Sequence, residues 1–324
     1  MIDQTESRAT RRSVFASVAV NLIEAIGLAV ASWITGSFAL RAQTADNVAE
    51  LAVGLFLCIG VLSSARPSDQ THPLGYGRER FFWSLFAALG IFVGGGGLAL
   101  EGAIRSALHP TPIGSYFVAY LVLGVTILLD VIALLVALPP LRRQAFERGL
   151  SLRDHLLRNS DPALTTVAVS GACAVIGGGL ATIGLVASQV MGSPTPDTVA
   201  SALIGLLLLV TSAYLLRTNR ELLTGRGVTS STLTEMREIV MKQAGVEGVP
   251  DIFAVFVGPS SVIVNGDLIF ADDFGVPAVE DSIIHAAAAL RERWPAIEYV
   301  YLTPVPLARP RRVRRPSRRS SKTK

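Results

Sequence analysis

The apolar residues of this chain are gathered into six blocks, at 13–35, 38–64, 80–104, 115–138, 163–188 and 198–217. A helix needs about 20 such residues to cross the roughly 30 Å hydrocarbon core of a bilayer. Blocks of this length, repeated along the chain, exclude an ordinary soluble domain. Only 17% of the 324 residues are charged, against about 25% in typical soluble chains. The first apolar run is long, contains Asn21 and Glu24, and has no clear small-residue cleavage site, so it is expected to be a span and not a cleaved signal peptide.

Basic residues set the expected orientation. They cluster before the first block (Arg8, Arg11, Arg12), between the second and third (Arg66, Arg78, Arg80) and between the fourth and fifth (Arg142, Arg143, Arg148, Arg153, Arg158). The alternate connections, "TGS", "RSALHPTPIGS" and "SQVMGSPTPD", are poor in them. One assignment satisfies every connection: both termini cytoplasmic. Glycine runs at 94–97 and 177–179 are expected where helix backbones approach closely. Cys58 and Cys173 lie in apolar blocks and give neither a disulfide framework nor thiolate metal spacing.

Beyond Leu223 hydropathy drops, and the chain reads as α-β-β-α-β. "STLTEMREIVMKQAG" opens on hydroxyl caps with apolar residues at helical spacing. "DIFAVFVG" and "SVIVNGDLIF" are β-rich runs parted by a Gly-Pro-Ser turn. "PAVEDSIIHAAAALRERW" opens near a helix start with Pro277, and "EYVYLTPV" is a final strand. The fold class expected is an α-helical membrane protein: a six-helix transmembrane bundle followed by a small cytoplasmic α+β domain, for which ferredoxin-like topology suits. The boundaries are 1–12 for a cytoplasmic N-terminal segment, 13–223 for the bundle, 224–306 for the α+β domain and 307–324 for a basic disordered tail. From Arg309 onward the tail holds nine Lys or Arg and no acid, and without it the formal net charge falls from +4 to −5. Such a tail suits anionic lipid headgroups; no folded nucleic-acid module accompanies it, and no nucleic-acid partner is expected.

Acids inside the spans point to function, because a mid-membrane carboxylate costs about 2.5–3.5 kcal/mol on insertion scales. Asp46 and Glu50 stand four residues apart on one face of the second span. An oxygen-only pair suits hard or borderline divalent cations. Asp130 in the fourth span, and Glu24 with Asn21 in the first, are further buried polar groups; Asp46, Glu50 and Asp130 converge only if spans two and four come together. His72, in "HPLGYGRER", is either a solvated loop residue or a collector of cations at a cytoplasmic entrance. Arg78, Glu79 and Arg80, before "FFW", read as an interfacial anchor with charge pairing. Asp272, Asp273 and His285 are a candidate metal group in the α+β unit. No nucleophile elbow, HExxH motif or phosphate loop is present, and none of the four His, at 72, 109, 155 and 285, falls inside a predicted span. The chain is not expected to be an enzyme.

"TGSFALRAQTADNVAE", "HPLGYGRERFFWSL" and "PTPDTVASALIGLLLL" leading to "ELLTGRG" resemble the cation diffusion facilitator (cation efflux) family, over roughly residues 12 to 305. The resemblance implies a homodimeric, proton-coupled exporter of divalent metals such as zinc, iron or manganese in the plasma membrane. The metal, Zn2+ first by family, is then a transported substrate and no cofactor is implied; the other partner is the lipid bilayer. The family places a His or Asp and an Asp four residues later in span two, here Asp46 and Glu50. Gln43 stands where an acid often precedes them. The family's second pair, in span five, falls on Val167 and Gly171, neither of which can bind a metal. Ser170 is a weak ligand, and Asp161 lies about 15 Å along the helix from Gly171. The half-missing site leaves a second expectation open: a non-transporting structural or regulatory member, in a heterodimer with an intact transporter.

Overall fold

The structure is a computed structural model that describes residues 2–35, 38–109, 116–147 and 161–306; the side chains of residues 2–9, 28, 31, 32, 34, 35, 38–46 and 49 fall outside that description. The described residues form two compact units, one lying within 2–226 with 256–262 and the other within 227–255 with 263–306.

The first unit is helical. Its elements are α1 (Ile2–Thr35), α2 (Phe38–Ser63), α3 (Glu79–Gly90), α4 (Leu98–Leu108), α5 (Tyr116–Glu147), α6 (Pro162–Met191) and α7 (Thr195–Leu223). A π-helical stretch, Ile91–Gly97, joins α3 to α4, so Glu79–Leu108 runs as one rod. Among the described residues four helical stretches are long and apolar enough to cross a membrane: Glu79–Leu108, Tyr116–Phe146, Pro162–Met191 and Thr195–Leu223. Glu50–Ser63 is a shorter apolar helix. Large apolar side chains such as Ile23, Leu121, Leu128 and Val210 are exposed on these helices. A soluble surface seldom carries so much apolar area, whereas lipid accepts it.

Two helices run further than their apolar blocks predict. Helix α1 begins at Ile2, ahead of the expected span start at residue 13. The added turns bury Thr10, whose hydroxyl donates to Asp161, and Ser13 at the block's first position donates to the Val136 carbonyl. Helix α5 passes through Pro139 and Pro140, where the block ends at 138. Two prolines remove two backbone donors and ordinarily break a helix. Here Ala137, Leu141 and Ala145 lie buried on either side of them, and that burial holds the helix on course.

Helix α1 packs against α2, α5 and α6, and α6 packs against α5 and α7. The main apolar core joins Val14 of α1, Leu57 and Val61 of α2, Ala87 of α3, Leu141 of α5 and Leu164 and Val167 of α6. Glycines mark the closest approaches. A Cβ at Gly96 would meet the Leu209 side chain at 2.7 Å, and one at Gly178 would meet Ile127 at 2.5 Å. At Gly179 it would meet nothing within 4 Å, so close packing accounts for the first two and not for every glycine of the runs.

The second unit holds most of a small sheet, whose first hairpin turn with its flanks, 256–262, is grouped with the first unit. Helix α8 (Ser230–Met241) is capped by Thr229, whose hydroxyl accepts from the Thr232 amide. Strands β1 (Val246–Gly258), β2 (Ser261–Phe270) and β3 (Ile297–Pro304) form one sheet in the order β1-β2-β3, and α9 (Val276–Arg293) precedes β3. Strand β2 alternates: Val262, Val264 and Leu268 are buried while their neighbours are partly exposed. That period of two is what a sheet with one covered face requires. Helices α8 and α9 pack together, with Arg293 paired to Glu235 at 3.3 Å.

Candidate functional site

Helix α2 carries both acids expected to hold a cation. Glu50 is exposed on the helical unit, and the Asp46 side chain lies outside the described residues. Between them Asn47 is buried, 6% exposed, and its Nδ2 donates to Glu24 Oε2 of α1 at 3.1 Å. Glu24 is 7% exposed. Residues 24 and 47 are nearly equidistant from the 36–37 connection, which brings them level on adjoining helices. That mirrored spacing is the signal in the sequence for their contact.

Asp130, half-buried on α5, interacts electrostatically with Glu24. Helix α1, which carries Glu24, packs against both α2 and α5.

The positions aligned with the family's second ligand pair are apolar in their surroundings. Val167 is 4% exposed and belongs to the core with Val14, Leu57 and Val61. Gly171 faces Leu134 of α5, which a Cβ would meet at 3.7 Å. The Ser170 hydroxyl donates to its own helix, at the Val167 carbonyl, 3.2 Å away.

At the end of the bundle that carries residues 64–78, Arg80 makes the charge pairing expected of it, inside the bundle. It is buried, 5% exposed, and its Nη1 donates to Asp161 Oδ2 at 3.2 Å. The Thr10 hydroxyl donates to the same oxygen at 2.6 Å, and Arg80 Nε donates to Ser64 Oγ at 3.0 Å. Asp161 also caps α6 by accepting from the Leu164 amide. One ion pair thus joins α1, α3, the end of α2 and the start of α6. Glu79, beside Arg80, accepts instead from Trp83 Nε1 at 2.8 Å.

His72 sits in a turn organised by Asp69. This carboxylate accepts from the Thr71 and Tyr76 hydroxyls and from the Thr71 and His72 amides. Those donors, the Thr71 hydroxyl first, hold the Asp69 carboxyl below the usual carboxylate range. The His72 ring lies on Tyr76, with centroids 4.1 Å apart, and its Nδ1 is 3.8 Å from Asp69 Oδ1.

In the sheet domain Asp272, Asp273 and His285 are exposed, and His285 Nδ1 meets the Asp281 carbonyl at 2.7 Å. Among the described residues no three His, Cys, Asp or Glu come together as a metal cluster. Cys58 and Cys173 are both free and buried, and Cys173 Sγ contacts the Thr211 hydroxyl at 3.1 Å.

Long apolar helices with lipid-suited surfaces, followed by a small sheet domain, define an integral membrane protein. Comparison with known proteins makes the class specific: residues 14–224 match the cation efflux transmembrane domain. The chain belongs to the cation efflux (cation diffusion facilitator) family, whose members are membrane transporters and not enzymes. It is 30% identical over 238 residues to metal tolerance protein C4 of Arabidopsis thaliana, covering 74% of this chain and 52% of that one. It is also 30% identical over 240 residues to the mitochondrial proton-coupled zinc antiporter SLC30A9 of Xenopus laevis, covering 74% and 43%. A Salmonella cation-efflux pump, FieF, is 28% identical over 128 residues, 39% of this chain and 41% of the pump. The chain spans about half the length of the curated relatives it matches.

Proposed function

We propose that this chain exports divalent metal cations across a membrane in exchange for protons. The observation that carries the reading is the cation efflux transmembrane match over residues 14–224, a stretch that places two acids four residues apart on α2. Zinc is the first candidate cargo, since a relative similar over most of this chain is a zinc antiporter; iron(II) and manganese follow. Asp46 and Glu50 take the ion, Asp130 contributes from α5, and His72 stands at the entrance.

In this reading residues 13–223 form a six-span bundle and 224–306 a cytoplasmic domain of ferredoxin-like type, the basic tail beyond it touching anionic lipid. Both termini lie in the cytoplasm, the membrane is the plasma membrane, and the protein works as a homodimer.

The test is uptake of zinc, manganese and iron(II) into proteoliposomes under an imposed pH gradient. Wild type should accumulate at least one of the three. Asp46→Ala and Glu50→Ala should each lower the initial rate about tenfold or more, the scale on which losing one charged ligand acts. Unchanged rates in both variants would remove this pair as the transport site. No flux of any of the three by wild type would return the chain to the reading of a non-transporting partner.

A further inference from the structure

We propose that Glu24 of α1 and Asn47 of α2 form a proton-binding site. In it Glu24 carries a proton on Oε1 and donates it to Asn47 Oδ1, closing an acid–amide ring between the two helices.

One half of the ring is direct: Asn47 Nδ2 donates to Glu24 Oε2 at 3.1 Å. Among the described residues the other half has two acceptors and no donor. Glu24 Oε1 and Asn47 Oδ1 are both buried, and neither has a hydrogen-bond partner. Each shares a carbon with an atom of the hydrogen bond already made. An ionised carboxylate only accepts, and so does an amide oxygen, whereas a protonated carboxyl offers one O–H donor and still accepts. A single proton therefore supplies the missing donor and satisfies both oxygens at once. It also removes a charge that is costly to bury without a partner. A salt bridge would answer the charge and leave the amide oxygen unmet, and none of the ion pairs among the described residues includes Glu24.

The neighbours supply more acid than base. Helix α1 packs on α2, α5 and α6. From α5 comes Asp130, within electrostatic reach of Glu24. The titratable side chain of α6 is Cys173, which contacts Thr211. On α2, Asn47 is flanked by Asp46 and Glu50, with Arg41 six residues before it; the Arg41 and Asp46 side chains lie outside the described residues. The bases of α1 itself stand twelve or more residues before Glu24. A cation bound on α2 favours the ionised form of a nearby carboxyl. The Glu24 proton then leaves as the metal arrives, a role that rests on the exchange proposed above.

The experiment is infrared difference spectroscopy of the full chain in lipid at neutral pH, with and without Zn2+. It reads the carboxylic C=O stretch, which lies above the amide bands and shifts in D2O. Wild type should show this band. Glu24→Gln, whose amide remakes both hydrogen bonds, should lose part of it. Asn47→Ala should move that part to higher wavenumber, because Glu24 Oε2 loses its donor. Saturating Zn2+ should remove the same part from wild type. A wild type with no carboxylic band overturns the proposal without any variant having to fold. A band equal in wild type and Glu24→Gln also overturns it, since Glu24 is then ionised. A band that Asn47→Ala leaves unmoved overturns the ring, and one that persists with Zn2+ bound overturns the exchange role. A wild type that binds no Zn2+ counts instead against the transport reading, and the metal-free band still decides the proton site.

Discussion

Val167 shows how much a single side chain decides. The sequence aligns it with a ligand position, and the structure puts it 4% exposed among Val14, Leu57 and Val61. An isopropyl group there contributes to the core, and an acid would be an unpaired buried charge. Val167→Asp is expected to destabilise the bundle by about 3 kcal/mol or more. Tryptophan-fluorescence melts in detergent check this. A variant melting within a degree or two of wild type would mean that position 167 reaches water, and that the α6 half of a site persists in the apolar core. Asn47 gives the opposite lesson. It is a polar residue of ordinary appearance in the sequence, and the fold makes it the link between two helices.

At the level of elements, the end of the bundle is tied by one buried ion pair. Arg80 of α3 and Asp161 at the start of α6 are both nearly enclosed, and Thr10 and Ser64 complete their hydrogen bonding. Removing one partner of such a pair strands the other, at a cost of about 3–5 kcal/mol. Arg80→Met should therefore lower the melting temperature markedly, and Asp161→Asn less, because the amide still accepts from Thr10 and the α6 amide. The double variant should be less destabilised than the sum of the singles, which a double-mutant cycle reads directly. Additive losses would show that the two groups act independently. The prolines of α5 belong to the same scale: a local rule predicts a break after 138, and burial of Leu141 and Ala145 overrides it.

For the whole molecule, charge and hydropathy divide the labour. The residues from Arg309 carry nine positive charges, without which the remaining chain has a net charge of −5. At neutral pH in a non-ionic detergent, the full chain should bind a cation exchanger, and a chain ending at Ala308 should bind an anion exchanger. If both bound the same resin, charge on the folded body rather than the tail would govern the protein's behaviour.

What could be read from residues alone follows from local physics. Long apolar blocks need lipid or burial, so a helical membrane domain was legible. Alternating β-branched runs need a sheet, so the order α-β-β-α-β was legible, and β1 differs mainly by starting five residues early. Family membership was legible too, because its motifs are contiguous. The site was legible only as a set of acids, since composition says that Glu24, Asp46, Glu50 and Asp130 are costly in a membrane without saying which of them meet.

Tertiary structure decided the pairings. It set Asn47 against Glu24, left an oxygen of each unsatisfied, brought Asp130 into electrostatic reach, buried Arg80 against Asp161 and enclosed Val167 in apolar side chains. The reason is physical. Hydropathy is a property of each segment and is written along the chain. The energy of a buried charge or an orphaned oxygen depends on its neighbours, and here those neighbours are as far as 151 residues away.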